Sequence, residues 1–273
     1  AIPVGIRLAA LRVGDIDLGS AMFGERIRLA LNGALDLDSN LAGLALALHL
    51  ARTDGGTGLA DISLDYRARP ARFALQAKID EPDGGLIGRL AGLPEKTPLA
   101  IELDGAGPPE NWAGKLTATA GSLASASADL TVAVAETGAS VSLSGNAEFA
   151  ALLPDSLRAL AGPRFALQAA LAFRPGVDVT ISRLTAENDH ISLQGNSRYG
   201  FEGGAIAAQL GAAIRTPSGA PLAFEGVTVN AAQIDATLSG TAERPALAAT
   251  LDVREIAYDS ARIAAVTGNV AYA

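Results

Sequence analysis

Two histidines, His49 and His190, are the only imidazoles in 273 residues, and there is no cysteine. Neither histidine has a partner at metal-ligand or H-E-x-x-H spacing, so the donor set of a metal site is missing. His49 lies inside the alternating run Leu44–Leu50, and His190 follows Glu187-Asn188-Asp189 in turn-like text. The neighbouring carboxylates Asp80-Glu81 have the composition of a glycosidase dyad, yet solvated turn residues are the commoner explanation of such a pair. There is no G-x-S-x-G elbow, P-loop or dinucleotide fingerprint. Gly84, Gly88 and Gly92 repeat at four-residue spacing, a helix-pairing signal in a long apolar segment. Here the surrounding segment is short, and close packing on a sheet is expected instead. The reading is of a protein that is not an enzyme and carries no cofactor or metal.

With no chemistry to position, the composition becomes the informative signal. Net charge is −8 and the isoelectric point is near 4.8, with no Lys/Arg run. Nucleic acid is therefore not an expected partner, because backbone binding needs a basic stripe. Hydrophobic residues make up 49% and mean hydropathy is +0.27, but no apolar run reaches the roughly 18 residues of a membrane helix. Aromatics are only 4%, against 30 glycines. The chain opens at Ala1 and closes at Ala273 in mid-pattern, which reads as a piece of something longer.

The elements follow from periodicity. Ile27–Leu31, Leu44–Leu50, Ile62–Tyr66, Phe73–Ile79, Leu99–Leu103 and Phe165–Phe173 alternate large aliphatic with small or polar residues, the signature of half-buried strands. Glycine, proline and asparagine clusters punctuate them at about 8–12 residues, predicting antiparallel hairpins rather than crossovers. Roughly twenty strands of about five to seven residues are expected. Two segments break the pattern. Gly85–Leu93 spaces Leu86, Ile87, Leu90 and Leu93 as a two-turn amphipathic helix, stopped by Gly92-Leu93-Pro94. Ala151–Ala161 places Leu152, Leu153, Leu157 and Leu160 on one helical face, with Pro154 in the first turn. Each is followed by a strongly alternating strand, a faint internal repeat. Gly105-Ala106-Gly107-Pro108-Pro109 reads as a turn before Trp112, the only tryptophan.

Twenty strands do not stay open and flat, since wide sheets curl or split. The inward sets are uniformly aliphatic, which favours one long curled sheet over stacked sandwiches with aromatic cores. The expected fold is all-β with two short helices: a long, mostly antiparallel sheet curled into a hydrophobic trough. Residues 1–273 would form one continuous segment, with helical interruptions near 84–93 and 151–161. Strands of the expected length are too short to cross a membrane as a barrel.

The stretch DEPDGGLIGRLAGLPEKTPLAIELDGAGPPENWAGKL (Asp80–Leu116), flanked by alternating strands such as GIRLAALRVGDIDLG, resembles the TamB family of translocation-and-assembly-module proteins in the AsmA-like superfamily. The likeness in style extends over most of the chain. It implies an interior segment of a large inner-membrane-anchored protein in the periplasm of a Gram-negative envelope. It also implies a β-taco groove that carries phospholipids between the membranes, and a BamA-like outer-membrane barrel partner, TamA. The alternative within the same resemblance is a scaffold for outer-membrane β-barrel assembly and secretion, acting through β-augmentation. The family supplies no catalytic residues.

A trough whose apolar face lacks a protein partner is a binding surface. Its expected lining is Leu29, Leu31, Leu46, Leu48, Leu64, Leu75, Leu130, Val132, Leu167, Leu171, Val179 and Leu193, facing acyl chains. The plainer alternative is that these side chains pack on a second layer of the same domain. The two helices would lie at the rim. With no basic rim, acyl chains rather than headgroups would be selected.

Overall fold

The computed structural model describes residues 4–19, 26–83, 85–154, 158, 162–215, 222–224 and 226–272. Contacts divide the chain into two units, Ala1–Val132 and Ala133–Ala273. In the first, β1(Ile6–Leu18), β2(Ile27–Leu37), β3(Gly43–Arg52), β4(Leu59–Ala68), β5(Ala71–Glu81), β6(Leu99–Gly107), β7(Trp112–Ala120) and β8(Ala124–Ala135) follow one another, with α1(Leu86–Leu90) between β5 and β6. Each strand pairs antiparallel with the next. The second unit has β9(Gly138–Glu148), β10(Phe165–Arg174), β11(Asp178–Glu187), β12(Ile191–Gly200), β13(Ile206–Arg215), β14(Leu222–Phe224), β15(Val227–Gly240), β16(Pro245–Tyr258) and β17(Ala261–Tyr272). It is also an antiparallel meander, except that β13 pairs directly with β15 and the three-residue β14 lies along the far end of β15.

The all-β, antiparallel expectation holds, but the strand inventory changes. The described residues form seventeen strands, and all except β14 have nine to fourteen residues. Register explains the difference. In β1 the apolar spacing lengthens from two to three at Leu8/Leu11 and again at Val13/Ile16, and a β-bulge sits at each step. The extra residue re-phases the pleat, so Ile6, Leu8, Leu11, Val13, Ile16 and Leu18 share one face of a single strand. The same device carries β11 across Ile181/Leu184. In β16, Glu255 has φ +52, where the apolar phase shifts between Val253 and Ile256. Reading each phase break as a strand end cut long strands into short ones. The length argument against a membrane-spanning barrel falls with it, because these strands reach the length such a barrel needs.

Because the side-chain period is two, residues paired in register share a face. In the first unit one such row runs Leu8, Leu35, Leu46, Leu64, Leu75, Gly105, Gly114, Leu130. The neighbouring row runs Leu11, Gly33, Leu48, Ile62, Ala77, Leu103, Leu116, Ala128. On the opposite face the rows are polar: Asn32, His49, Asp61, Lys78, Glu102, Thr117, Ser127. Alanine reports the difference between the faces. Ala60, Ala77, Ala118, Ala126 and Ala128, flanked by Leu and Ile, are half-buried or buried, whereas Ala34, Ala45, Ala47, Ala106 and Ala113 are exposed.

The leucine row is interrupted at Gly105 and Gly114, and Trp112 fills the gap. A Cβ added at Gly105 would lie 2.1 Å from the indole Cζ2, and one at Gly114 2.4 Å from Cη2. The ring is 5% exposed and meets Phe73 at 6.2 Å between centroids. Gly105 to Gly107 therefore belong to β6 and are not a turn; the flat backbone is the seat of the tryptophan. Gly105→Ala should destabilise the chain by about 1–3 kcal/mol through overpacking. Combining it with Trp112→Ala should give less than the sum of the two losses, as read from urea denaturation midpoints in a double-mutant cycle.

Candidate functional site

All of the expected lining residues fall on the apolar face of their own unit. In the first, Leu29, Leu31, Leu46, Leu48, Leu64, Leu75, Leu130 and Val132 are co-facial by register and half-buried. In the second, Leu167, Leu171, Val179 and Leu193 share a face with Phe173, Leu184 and Leu210. Both units leave large side chains of this face exposed. Along β1, β4 and β8, Ile6, Leu8, Leu11, Val13, Ile62 and Val134 are between 37% and 48% exposed. The second unit leaves Leu184, Leu193, Leu210, Ile234, Leu251 and Val270 between 37% and 62% exposed. The sequence reading named only Leu193 among these, although the alternation in Ile206–Ile214 and Leu247–Val253 carries the same signal.

Within each unit the closest element contacts are those between neighbouring strands of the meander, with α1 packed on β5.

Polar groups close the two ends of the first face differently. At one end Arg52, in register with Leu29, donates to Asp54 through Nε (3.0 Å) and Nη2 (2.9 Å). Asp54 also accepts from the backbone N–H of Arg28 and Gly56, both at 3.1 Å. The Arg52 hydrogen bond, with these backbone donors, holds the Asp54 carboxyl well below the usual range against the opposing effect of burial. Beside it Glu81, in register with Leu99, is buried. Its carboxylate accepts the N–H groups of Ile87 (3.1 Å) and Gly88 (3.0 Å), which α1 leaves unpaired. At the other end stand the aromatic rings of Phe73 and Trp112.

Glu81 is thus a structural cap rather than a solvated turn residue or half of an acid–base pair. The helix it holds is shorter than the spacing predicts, Leu86–Leu90. Gly92, at φ +71, ends it, and the Leu93 N–H returns to the Gly88 carbonyl at 2.9 Å. The four-residue glycine spacing has no single role. Gly84 lies outside the described residues, and Gly88 has room for a Cβ at ordinary contact distance. The close approach belongs to Gly85, where a Cβ would stand 2.5 Å from the Glu81 carboxyl carbon. Of the second expected helix, Ala150–Leu152 forms a 3-10 turn and the Arg158 N–H bonds the Pro154 carbonyl at 3.2 Å. Residues 155–157 and 159–161, with Leu157 and Leu160, lie outside the described residues.

The histidines are placed apart. His49 is on the polar face with Nδ1 2.6 Å from Asp61 Oδ1, on the same face as the cross-strand ion pair Lys78–Glu102 (3.0 Å). His190 is in the β11–β12 turn, whose Asn188 Oδ1 accepts the His190 and Ile191 N–H groups. Among the described residues no group of three or more His, Asp or Glu could hold a metal ion.

In the second unit a cluster of charged side chains ties three strands together. The Asp178 carboxylate is 1% exposed and takes hydrogen bonds from Arg174 (Nε, 2.7 Å) and Arg198 (Nε, 2.6 Å), linking β10, β11 and β12. Arg174 first, then Arg198, pull its pKa below the ordinary value. On the apolar side of the same end, Phe173, Tyr199 and Phe201 meet edge to face.

No protein-family model, curated protein or solved structure matches the chain.

Both depressed carboxylates predict a pH dependence with one sign. A group whose folded pKa lies below its unfolded value, near 3.8, stabilises the fold above that value and loses its contribution as pH falls toward the folded pKa. Denaturation midpoints should therefore drop below about pH 4, and Asp54→Asn with Asp178→Asn should flatten that drop while lowering stability at pH 7. Separately, Glu81→Ala should leave the α1 donors unmet, costing about 1–3 kcal/mol and accelerating amide exchange at Ile87 and Gly88.

Proposed function

We propose that the apolar faces bind phospholipid acyl chains, as parts of a curled trough that continues through the chain. The protein would then be an interior segment of an inner-membrane-anchored, periplasm-spanning carrier of lipids between two membranes. It would work with an outer-membrane barrel of the BamA-like type, as the resemblance to the TamB family implies. The observation that carries the reading is the exposed aliphatic face of β11–β17, with Leu184, Leu193, Leu210, Ile234, Leu251 and Val270 in water. A patch of that kind marks an interaction surface.

The mechanism follows from the side chains. Leu, Ile, Val and Ala offer an acyl chain shelter from water at roughly 0.8 kcal/mol per CH₂. None of them makes a directional bond, so a chain that slides by one strand spacing exchanges one aliphatic contact for another of similar strength. Most charged groups sit on the opposite face; at the end of the first unit's face Arg52 and Asp54 pair with each other, and Asp54 and Glu81 accept backbone N–H groups. The wall therefore favours hydrocarbon over any particular headgroup, and movement over retention.

The test is to purify the chain without detergent from a Gram-negative host and measure bound lipid by native mass spectrometry and extraction. Phospholipid should co-purify, and Leu193→Asp with Leu251→Asp should lower its amount at least about five-fold while circular dichroism stays unchanged. A lipid-free wild-type chain, or equal loading of the variant, would overturn the reading.

A further inference from the structure

We infer that the apolar face of β11–β17 is also a homodimer interface: when no lipid covers it, a second copy of this chain does. The inference takes the openness of this face from the structure and does not depend on the lipid reading.

Area is the first argument. Six strands about 4.8 Å apart, each about ten residues long at 3.3 Å per residue, present a face of roughly 950 Å². Two apposed copies would remove roughly 1,900 Å² from water, within the 1,200–2,000 Å² of stable protein interfaces. An aliphatic surface of this size at micromolar concentration associates unless something else occupies it.

Charge is the second. By register Arg183, Glu187, Arg198, Asp235 and Asp252 all lie on the opposite face. Two copies can approach through the rows from Leu184 to Val270 and from Leu193 to Gly268 without desolvating these ions. The net charge of −8 per chain stays on surfaces that remain in water, where salt screens it.

Relief is the third. Along the face, large and small residues are interspersed across strands. One row runs Leu184, Gly195, Leu210, Ala236, Ala249, Val270, and the next runs Leu193, Ala212, Ile234, Leu251, Gly268. The small residues leave recesses that large side chains of a second copy can enter, the interdigitation that two packed sheets require at about 10 Å separation. A smooth all-leucine face would not fit itself in this way.

The absence of cysteine makes the test direct. Delipidated chain at about 20 µM should sediment as a dimer, and Leu210→Asp with Ile234→Asp should return it to a monomer. Leu210→Cys should be trapped as a covalent dimer by a short bis-maleimide, at least about ten-fold more than Gln209→Cys, its neighbour on the polar face. A monomeric delipidated chain, or equal trapping at both positions, would overturn the interface. The lipid reading fails separately. If the dimer forms but added phospholipid neither binds nor dissociates it, the interface stands and the carrier function falls. If lipid binds and the delipidated chain is monomeric, the reverse holds.

Discussion

Every level of this structure depends on one constraint: antiparallel pairing in a register that keeps aliphatic side chains opposite aliphatic side chains. A slip of one residue would move a strand's entire apolar set to the other face. Here the rows persist through seven successive pairings in the first unit, from Leu8 to Leu130. The hydrogen bonds of the ladder are indifferent to which row meets which. The hydrophobic contacts between neighbouring Leu, Ile and Val side chains select the register, each cross-strand pair adding a few tenths to one kcal/mol.

That constraint explains the irregularities as well as the regular parts. Bulges in β1 and β11 stand where the apolar spacing changes from two to three. Without the inserted residue, half of each of these strands would present its apolar side chains to the polar side. Trp112 is a variation on the same theme. Where Gly105 and Gly114 leave the row empty, one large ring lies flat across two strands and completes it. The polar face is organised by complementary pairs such as Lys78–Glu102 and Arg7–Asp36. These are exposed and contribute little to stability individually, but they penalise registers that would oppose like charges.

The functional reading rests on what the sheet leaves undone. A soluble sandwich buries its aliphatic face on a second sheet, whereas here Leu184, Leu210 and Ile234 stay between 46% and 51% exposed. The first unit ends its face with the Arg52–Asp54 pair, Glu81 and α1. Both units leave aliphatic side chains in water, the second across β11–β17. Such a surface needs an occupant, and acyl chains and a second copy compete for it on equal chemical terms, because both are recognised by hydrocarbon alone.

Much of this was legible in the residues themselves. Alternation in Leu44–Leu50 or Phe165–Phe173 fixes which side chains share a face, because the two-residue pleat is local geometry that no distant contact can alter. Together with register, that places the lining residues named from sequence on one face within each unit. Strand lengths were not legible, since a bulge and a strand end look alike in a pattern of spacings; only the partner strand, paired across Leu8/Leu11, tells them apart. Nor was the role of Glu81, whose meaning depends on a helix that folds back onto it, or of Gly105, whose missing Cβ matters only because Trp112 returns over it. The exposure of Leu210 and Ile234 likewise belongs to the tertiary structure alone. Sequence determines that a face is apolar, but whether anything covers it depends on how the elements stack, and that is a property of the whole fold.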